Sequence, residues 1–101
     1  MERTYKKIYF LGIGGIGMSA LARYFLHEGC MVAGYDRTAT PLTRALEAEG
    51  AAVHYEDDPE FIPEAMRSAE DTLVVLTPAI PSDHHEWAWL REKGFHIEKR
   101  S

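Results

Sequence analysis

Six consecutive residues have the spacing of a phosphate-binding turn: Gly12-Ile13-Gly14-Gly15-Ile16-Gly17. The turn follows the apolar run Ile8-Tyr9-Phe10-Leu11 and opens a segment with helical spacing. This order of strand, glycine turn and helix is typical of a dinucleotide or nucleotide diphosphate site. Gly12 would make the tight turn, Gly14 would let the backbone approach the diphosphate, and Gly17 would let the helix pack against the strand. The backbone N–H groups at the helix start would then face the anion.

An acidic residue, Asp36, lies 24 positions after Gly12, directly after the run Met31-Val32-Ala33-Gly34-Tyr35 that predicts a second strand. A parallel pairing of the two strands would place this carboxylate beside the glycine turn. There it would accept hydrogen bonds from ribose hydroxyls or from a base N–H; a solvated turn carboxylate is the alternative. Because the acid is kept, a ribose 2′-phosphate is disfavoured even though Arg37 is adjacent.

No catalytic centre can be assembled from the sequence. It contains neither a GxxxxGK[ST] loop nor a set of nucleophile, base and orienting residue. His84 and His85 are adjacent and would point about 100° apart on a helix, so we interpret them as surface or capping residues and not as metal ligands. Asp83 and Glu86 have capping-box spacing, and the acidic stretch 56–60 is interpreted as a solvated loop. We expect no catalytic residue and no metal site in this chain.

Length and charge exclude several classes of function. A chain of 101 residues with 46% hydrophobic content suffices for one compact domain, residues 1–101. Eleven basic and sixteen acidic residues give a net charge of −5 without a basic stripe, which excludes nucleic acid as a partner. No run approaches the roughly 20 apolar residues that span a bilayer, so we expect no membrane insertion and a cytoplasmic location.

Strand and helix patterns alternate along the chain, with five predicted strands and about four predicted helices. This alternation predicts an α/β fold, a Rossmann-like three-layer αβα domain with a five-stranded parallel sheet. Ligand sites in such sheets lie at the carboxyl ends of the strands. The helix after the glycine turn is expected to pack on the sheet through a wide apolar face: Met18, Leu21, Ala22 and Phe25, with Ile16, Ala20 and Tyr24 on an adjoining stripe.

Three further local patterns complete the predicted architecture. Thr40 and Pro41 are typical of a helix start. A short helix is expected around residues 61–66, interrupted near Pro63. Trp87 and Trp89 lie two positions apart and cannot share one helical face, so we expect one in the core and the other covered by something outside this chain.

Three sequence blocks together resemble the amino-terminal domain of the Mur ligases: Gly12-Ile13-Gly14-Gly15-Ile16-Gly17-Met18-Ser19, Gly34-Tyr35-Asp36 and Thr77-Pro78-Ala79-Ile80-Pro81. The resemblance covers essentially the whole chain, which we therefore interpret as a one-domain fragment of a longer ligase. The chain has Thr77-Pro78 where family members often have Ser-Ser, and Pro78 lacks an N–H donor.

The resemblance implies that this domain holds the UDP part of UDP-N-acetylmuramate, in a peptidoglycan-precursor ligase that joins L-alanine to this substrate with ATP hydrolysis. ATP and Mg²⁺ would bind to the parent's central ATPase and carboxyl-terminal domains, which are outside this chain. The resemblance therefore implies that no cofactor is bound by this chain. The substrate-binding residues implied by the match are Gly12, Gly14, Gly15, Ile16 and Gly17 at the diphosphate, Asp36 on the uridine side, and Thr77, Ala79 and Ile80 along the nucleotide.

Two other functions remain open at this point. The same glycine turn and Asp36 would suit an NAD-binding regulatory domain or a dehydrogenase cofactor domain, since spacing alone does not distinguish NAD from a uridine nucleotide. A structural or protein-interaction module is supported only by the tryptophan that is expected to be exposed. Within the family, the ligase that recycles murein tripeptide is a weaker match because its glycine turn has a different composition.

Overall fold

The computed structural model describes residues 4–100 and contains five strands, three α-helices and two short 3₁₀ turns. In chain order these elements are β1 (Lys7–Leu11), α1 (Ile16–His27), β2 (Met31–Tyr35), α2 (Pro41–Ala48), β3 (Ala52–His54), the 3₁₀ turns Pro59–Phe61 and Glu64–Met66, β4 (Thr72–Leu76), α3 (His85–Glu92) and β5 (His96–Lys99).

All strands are parallel and lie in the order β3-β2-β1-β4-β5. The central strand β1 pairs with β2 on one side and β4 on the other, so that Leu11 is level with both Tyr35 and Leu76. The predicted α/β fold with a five-stranded parallel sheet is therefore confirmed. The carboxyl ends of β1, β2 and β4 meet at one edge, where the glycine turn begins.

The core consists of two apolar clusters, one on each face of the sheet. Alternate residues of β1 face opposite sides, as strand geometry requires. Ile8 and Phe10 pack under α1 and α2, whereas Tyr9 and Leu11 pack under α3 and the 3₁₀ turns. This gives the three-layer αβα arrangement that the sequence predicts. None of the helices within residues 4–100 has the length and apolar composition needed to cross a membrane.

The prediction of about four helices is corrected to three α-helices. The segment after β3 contains two separate 3₁₀ turns, and Pro63 lies between them. Proline has no N–H to continue a helical hydrogen-bond ladder and restricts the residue before it to extended backbone. Ile62 has such a conformation, with φ −66° and ψ 125°. The predicted interruption near Pro63 is thus present, but each side of it is only one turn long.

Helix α1 differs from the predicted packing in two respects. The stripe expected to adjoin the buried face is on the solvent side, since Ile16 is 88% exposed and Tyr24 is 56% exposed. The sheet is already covered by the other face of α1, which buries Met18 and Ala22. Gly17 also has no close-packing role, because a Cβ added there would meet no atom within 4 Å.

The two tryptophans of α3 differ from the expectation of one core and one uncovered side chain. Both are partly buried against the same core cluster. The Arg67 guanidinium lies 4.5 Å from the centroid of the Trp89 ring, and the Arg91 guanidinium lies 4.9 Å from that of Trp87. Cationic side chains of this domain therefore cover the outer ring faces.

Candidate functional site

The glycine turn is tied to the end of β2 by its backbone. The N–H groups of Gly12 and Ile13 both donate to the carbonyl oxygen of Tyr35, at 2.8 and 3.0 Å. Gly12 has a φ of +94°, which L residues rarely adopt, and an added Cβ would lie 2.2 Å from Cγ2 of Thr77. The predicted tight turn at Gly12 is therefore required both by backbone conformation and by the close approach of the loop between β4 and α3, residues 77–84, which we call the β4 loop.

Asp36 lies beside the glycine turn, where the sequence places it. Its Oδ2 accepts a 2.8 Å hydrogen bond from the Gly14 N–H, and its Oδ1 accepts one of 3.1 Å from the Thr38 N–H. A Cβ added at Gly14 would lie 2.7 Å from Oδ2 of Asp36 and 2.8 Å from Cγ2 of Thr43. Within the protein, Gly14 is thus needed for the approach of these side chains, and Asp36 holds the turn in place.

The first turn of α1 leaves backbone donors free. The N–H of Gly15 donates to the Gly12 carbonyl, and that of Ser19 begins the helical ladder by donating to Gly15. Between them, the N–H groups of Ile16, Gly17 and Met18 have no hydrogen-bond partner among residues 4–100. No side chain caps this helix start, and its first turn contains no acidic residue. The positive end of the helix dipole is therefore uncompensated and open to an anion.

The other two helix starts are satisfied by side chains. At α2, Thr40 and Thr43 form a reciprocal capping box with hydrogen bonds of 3.1 and 2.9 Å. At α3, the Asp57 carboxylate accepts from the N–H groups of His85 and Glu86, both at 2.9 Å. Only the helix that follows the glycine turn lacks this compensation among the three described helices, which identifies its start as the candidate anion site.

A cavity of about 590 Å³ opens beside this helix start, at the carboxyl ends of the strands. It brings together most of the residues that the resemblance implies for substrate binding. Of the residues that the resemblance implies, those that line this cavity are Gly12, Gly14, Gly15, Asp36, Thr77, Ala79 and Ile80. Ile16 and Gly17 do not line this cavity; they line a second one of about 630 Å³ on the other side of the helix start. Gly15 and Thr77 line both cavities.

Several residues that line the first cavity were not predicted from the sequence, and Asp57 is the most important of them. This carboxylate was expected in a solvated acidic loop, but it contacts the start of α3 and lies 3.1 Å from Nδ1 of His84. The predicted capping box of Asp83 and Glu86 is therefore wrong. A carboxylate from the preceding loop binds the first N–H groups of α3 instead, which no local spacing indicates.

The two histidines have different environments. His84 is 5% exposed, lines the first cavity and caps α3 through Nδ1, which accepts from the Trp87 N–H at 3.4 Å. The capping interpretation is thus confirmed for His84, while His85 is exposed as a surface residue. Burial lowers the pKa of His84, although Asp57 opposes that effect. The His84 ring is therefore neutral at pH 7.

Glu86 of α3 is fully buried. The Tyr9 hydroxyl donates to its Oε1 at 2.5 Å, Nε2 of His54 lies 2.6 Å from its Oε2, and the Asp58 N–H donates to the same oxygen at 3.2 Å. Burial, followed by the charge of Glu86, raises the pKa of the Tyr9 hydroxyl. This network fixes the acidic loop against α3 and β1, and so positions Asp57 at the cavity.

No group of three or more His, Cys, Asp or Glu side chains within residues 4–100 is arranged to hold a metal ion. The carboxylates of Asp36 and Asp57 and the hydroxyls that line the cavity can bind polar groups of a ligand, and the free N–H groups at the adjoining start of α1 can bind an anion. Tyr35 also lines the cavity, and burial together with the charges of Asp57, Glu86 and Asp36 raises the pKa of its hydroxyl. This hydroxyl is protonated at neutral pH and can donate a hydrogen bond.

Comparisons with known proteins all indicate the same family. A family model described as the Mur ligase family, catalytic domain, matches residues 7–101. The chain is 57% identical over 98 residues to a UDP-N-acetylmuramate–L-alanine ligase of Phocaeicola vulgatus, a match that covers 97% of this chain and 21% of that protein. A similar relative from Christiangramia forsetii is 56% identical over 97 residues, covering 95% of this chain and 22% of that protein.

Solved structures agree with this relationship. A UDP-N-acetylmuramate-alanine ligase from Thermotoga maritima superposes with a TM-score of 0.81 at 33% sequence identity, covering 93% of this chain and 20% of the other. The chain thus spans about a fifth of the length of the relatives that it matches. The family model covers nearly the whole chain, and the glycine turn, Asp36 and the β4 loop meet at one cavity. The chain therefore belongs to the Mur ligase family.

Proposed function

We propose that the chain is the amino-terminal substrate-binding domain of a peptidoglycan-precursor ligase that joins L-alanine to UDP-N-acetylmuramate with ATP hydrolysis. In this proposal the domain, residues 1–101, holds the UDP moiety and is not catalytic alone. The observation that carries the proposal is the uncapped start of α1, with three free N–H groups, beside a cavity lined by the glycine turn and Asp36. Relatives that share more than half of its residues are UDP-N-acetylmuramate–L-alanine ligases.

The diphosphate would lie at the start of α1, where the N–H groups of Ile16, Gly17 and Met18 donate to its oxygens. The helix dipole favours the negative charge there, which matters because the chain itself has a net charge of −5 and cannot attract an anion at long range. Gly14 and Gly15 provide the backbone surface along which the diphosphate approaches.

The uridine would occupy the first cavity. Asp36 lies on its rim with one hydrogen bond accepted by each oxygen, and a carboxylate oxygen has a second lone pair free for a ribose hydroxyl. On the opposite side, Thr77, Ala79 and Ile80 from the β4 loop would line the nucleotide. The site is thus polar on the β2 side and largely apolar on the β4 side.

The remaining steps belong to the rest of the parent protein. Since the chain spans about a fifth of its relatives, we assign ATP, Mg²⁺ and the chemical steps to a central ATPase domain and a carboxyl-terminal domain, with the parent enzyme in the cytoplasm. Those two domains and UDP-N-acetylmuramate are the proposed partners of this chain.

An NAD-binding domain is the second candidate, because an Asp at the end of β2 also suits the adenosine ribose of a dinucleotide. The similarity to UDP-substrate ligases favours the uridine nucleotide. Isothermal calorimetry of the folded chain with UDP-N-acetylmuramate, NAD and ATP in parallel distinguishes them. We expect binding heat with the UDP-sugar alone. Saturable NAD binding without UDP-sugar binding would overturn the proposed function in favour of a dinucleotide sensor.

A further inference from the structure

Thr43 of α2 connects the glycine turn to the start of that helix. The residue is fully buried and lines neither the first nor the second cavity, so its side chain does not reach a ligand bound there. A Cβ added at Gly14 would lie 2.8 Å from Cγ2 of Thr43 and 2.7 Å from Oδ2 of Asp36. The methyl group and the carboxylate thus occupy the side of Gly14 on which an L side chain would project. Together they leave the backbone of Gly14 little room to move in that direction.

The hydroxyl group of Thr43 has a separate role. Its Oγ1 accepts a hydrogen bond from the Thr40 N–H at 2.9 Å and donates one to the Thr40 carbonyl at 3.0 Å, which closes the start of α2. The Tyr55 hydroxyl lies 3.0 Å from the same oxygen and donates to the Glu47 carboxylate at 2.5 Å. Because these contacts hold the Thr43 side chain in one rotamer, they direct its methyl group at Gly14.

Gly14 is the residue through which this contact reaches the candidate site. Its N–H donates to Oδ2 of Asp36 at 2.8 Å, and both residues line the first cavity. Gly15 follows directly as the N-cap of α1, and the free N–H groups of that helix start come next. A displacement of Gly14 would therefore disturb the contact with Asp36 and the approach to the anion site together.

We propose that Thr43 is a positioning residue for nucleotide binding, whose methyl group holds Gly14 against Asp36 in the conformation that accepts the nucleotide. This inference rests on the proposed function. The methyl group carries the effect on ligand affinity, whereas the hydroxyl carries most of the effect on the stability of α2. Without the methyl group the glycine turn also populates conformations that do not bind, and the apparent affinity falls with the fraction that remains competent.

Two substitutions separate the methyl group from the hydroxyl. Thr43→Ser keeps the hydroxyl and removes the methyl group, whereas Thr43→Val keeps a methyl group at the same position and removes the hydroxyl. Calorimetry should show that Thr43→Ser binds UDP about two- to fivefold more weakly than the wild-type chain, the effect expected from losing the packing of one buried methyl group. Thr43→Val should recover most of that affinity, although urea unfolding should show it to be the less stable of the two variants. A general loss of structure would give affinity and stability the same order.

Tyr55→Phe is the matched control, because it removes a hydroxyl that contacts Oγ1 of Thr43 and leaves the methyl group of Thr43 in place. This variant should keep the wild-type affinity for UDP. Amide hydrogen exchange, measured by NMR on the ligand-free chain, gives a second readout that needs no nucleotide. The Gly14 N–H should exchange faster in Thr43→Ser than in Thr43→Val, Tyr55→Phe or the wild-type chain.

The outcomes distinguish this inference from the proposed function. If the wild-type chain binds UDP but Thr43→Ser binds it equally well, the Thr43 inference is wrong and the proposed function stands. The same holds if Thr43→Val binds UDP no better than Thr43→Ser does, or if exchange at Gly14 is unchanged in Thr43→Ser. If the folded wild-type chain binds no UDP, the proposed function is wrong and the inference falls with it.

Discussion

Replacing Ile16 by proline should remove one of the three free N–H groups at the start of α1 without disturbing the helix. Ile16 is the first helical residue after the N-cap Gly15, and proline is well tolerated at that position because its N–H has no helical partner. Gly15 has φ −67° and ψ 152°, a conformation that a following proline accepts. The side chain is 88% exposed, so the ring has room.

The expected effect on UDP binding follows from the loss of one charge-assisted hydrogen bond. Hydrogen bonds to charged groups contribute about 1.5–3 kcal/mol, and the exposed position of this helix start favours the lower end of that range. A loss of about 1.5 kcal/mol weakens binding by roughly tenfold. The free energy of unfolding should change little, since no hydrogen bond of the folded protein is lost.

Ile16→Ala is the matched control, because it removes the same side chain and keeps the N–H. Calorimetry with UDP, which lacks the N-acetylmuramoyl group, should give the wild-type affinity for Ile16→Ala and about one tenth of that affinity for Ile16→Pro. Urea unfolding of both variants checks that the fold is intact. Equal UDP affinities for the two variants would refute the assignment of the diphosphate to this N–H group.

Three further predictions concern the helix start and the buried network. Gly17→Glu should stabilise the chain by about 1 kcal/mol, because it replaces a helical glycine in open space and places an acid at the positive end of the helix. Thermal unfolding should show a higher Tm, and calorimetry should show a weaker affinity for UDP. Unchanged UDP binding would count against the anion site. Tyr9→Phe should destabilise by about 1–3 kcal/mol in urea, since buried Glu86 loses a donor, and a neutral result would show that the network does not stabilise the fold. Because the pKa of His84 is lowered in the folded state, the unfolded chain binds a proton at His84 more readily than the folded chain does, so this residue should make stability fall as pH drops below about 6.5. His84→Asn keeps a capping side chain and should reduce the pH dependence of the urea midpoint between pH 7 and 5.5. A pH dependence equal to that of the wild-type chain would contradict this role.

Much of the fold could be predicted because its signals are local. The apolar run in β4 and the glycine turn after β1 depend on neighbouring residues only, and Thr40 caps α2 through residues three positions away. Parallel pairing then follows from the alternation of strands and helices, which brings Asp36 to the glycine turn. The predicted residues that line the first cavity share one property, which is that each lies in the segment directly after the carboxyl end of a strand.

The parts that were not predicted depend on contacts between distant segments. Asp57 reaches the start of α3 across 28 positions, and Tyr9 reaches Glu86 across 77. Spacing within a segment does not report such contacts, so Glu86 was interpreted as a local cap although it is a buried carboxylate. The apolar pattern of α1 was also ambiguous, because it shows that two stripes exist but not which one faces the sheet.

Amide NMR of the isotopically labelled chain during a titration with UDP-N-acetylmuramate would report on the proposed anion site residue by residue. We expect the N–H resonances of Ile16, Gly17 and Met18 to shift most, because these groups acquire hydrogen bonds to the diphosphate. The resonance of the capped Thr43 N–H at the start of α2 should not shift. Saturable binding that leaves the α1 amide resonances unshifted, or no binding to the folded chain, would show that the diphosphate is not held at the start of α1.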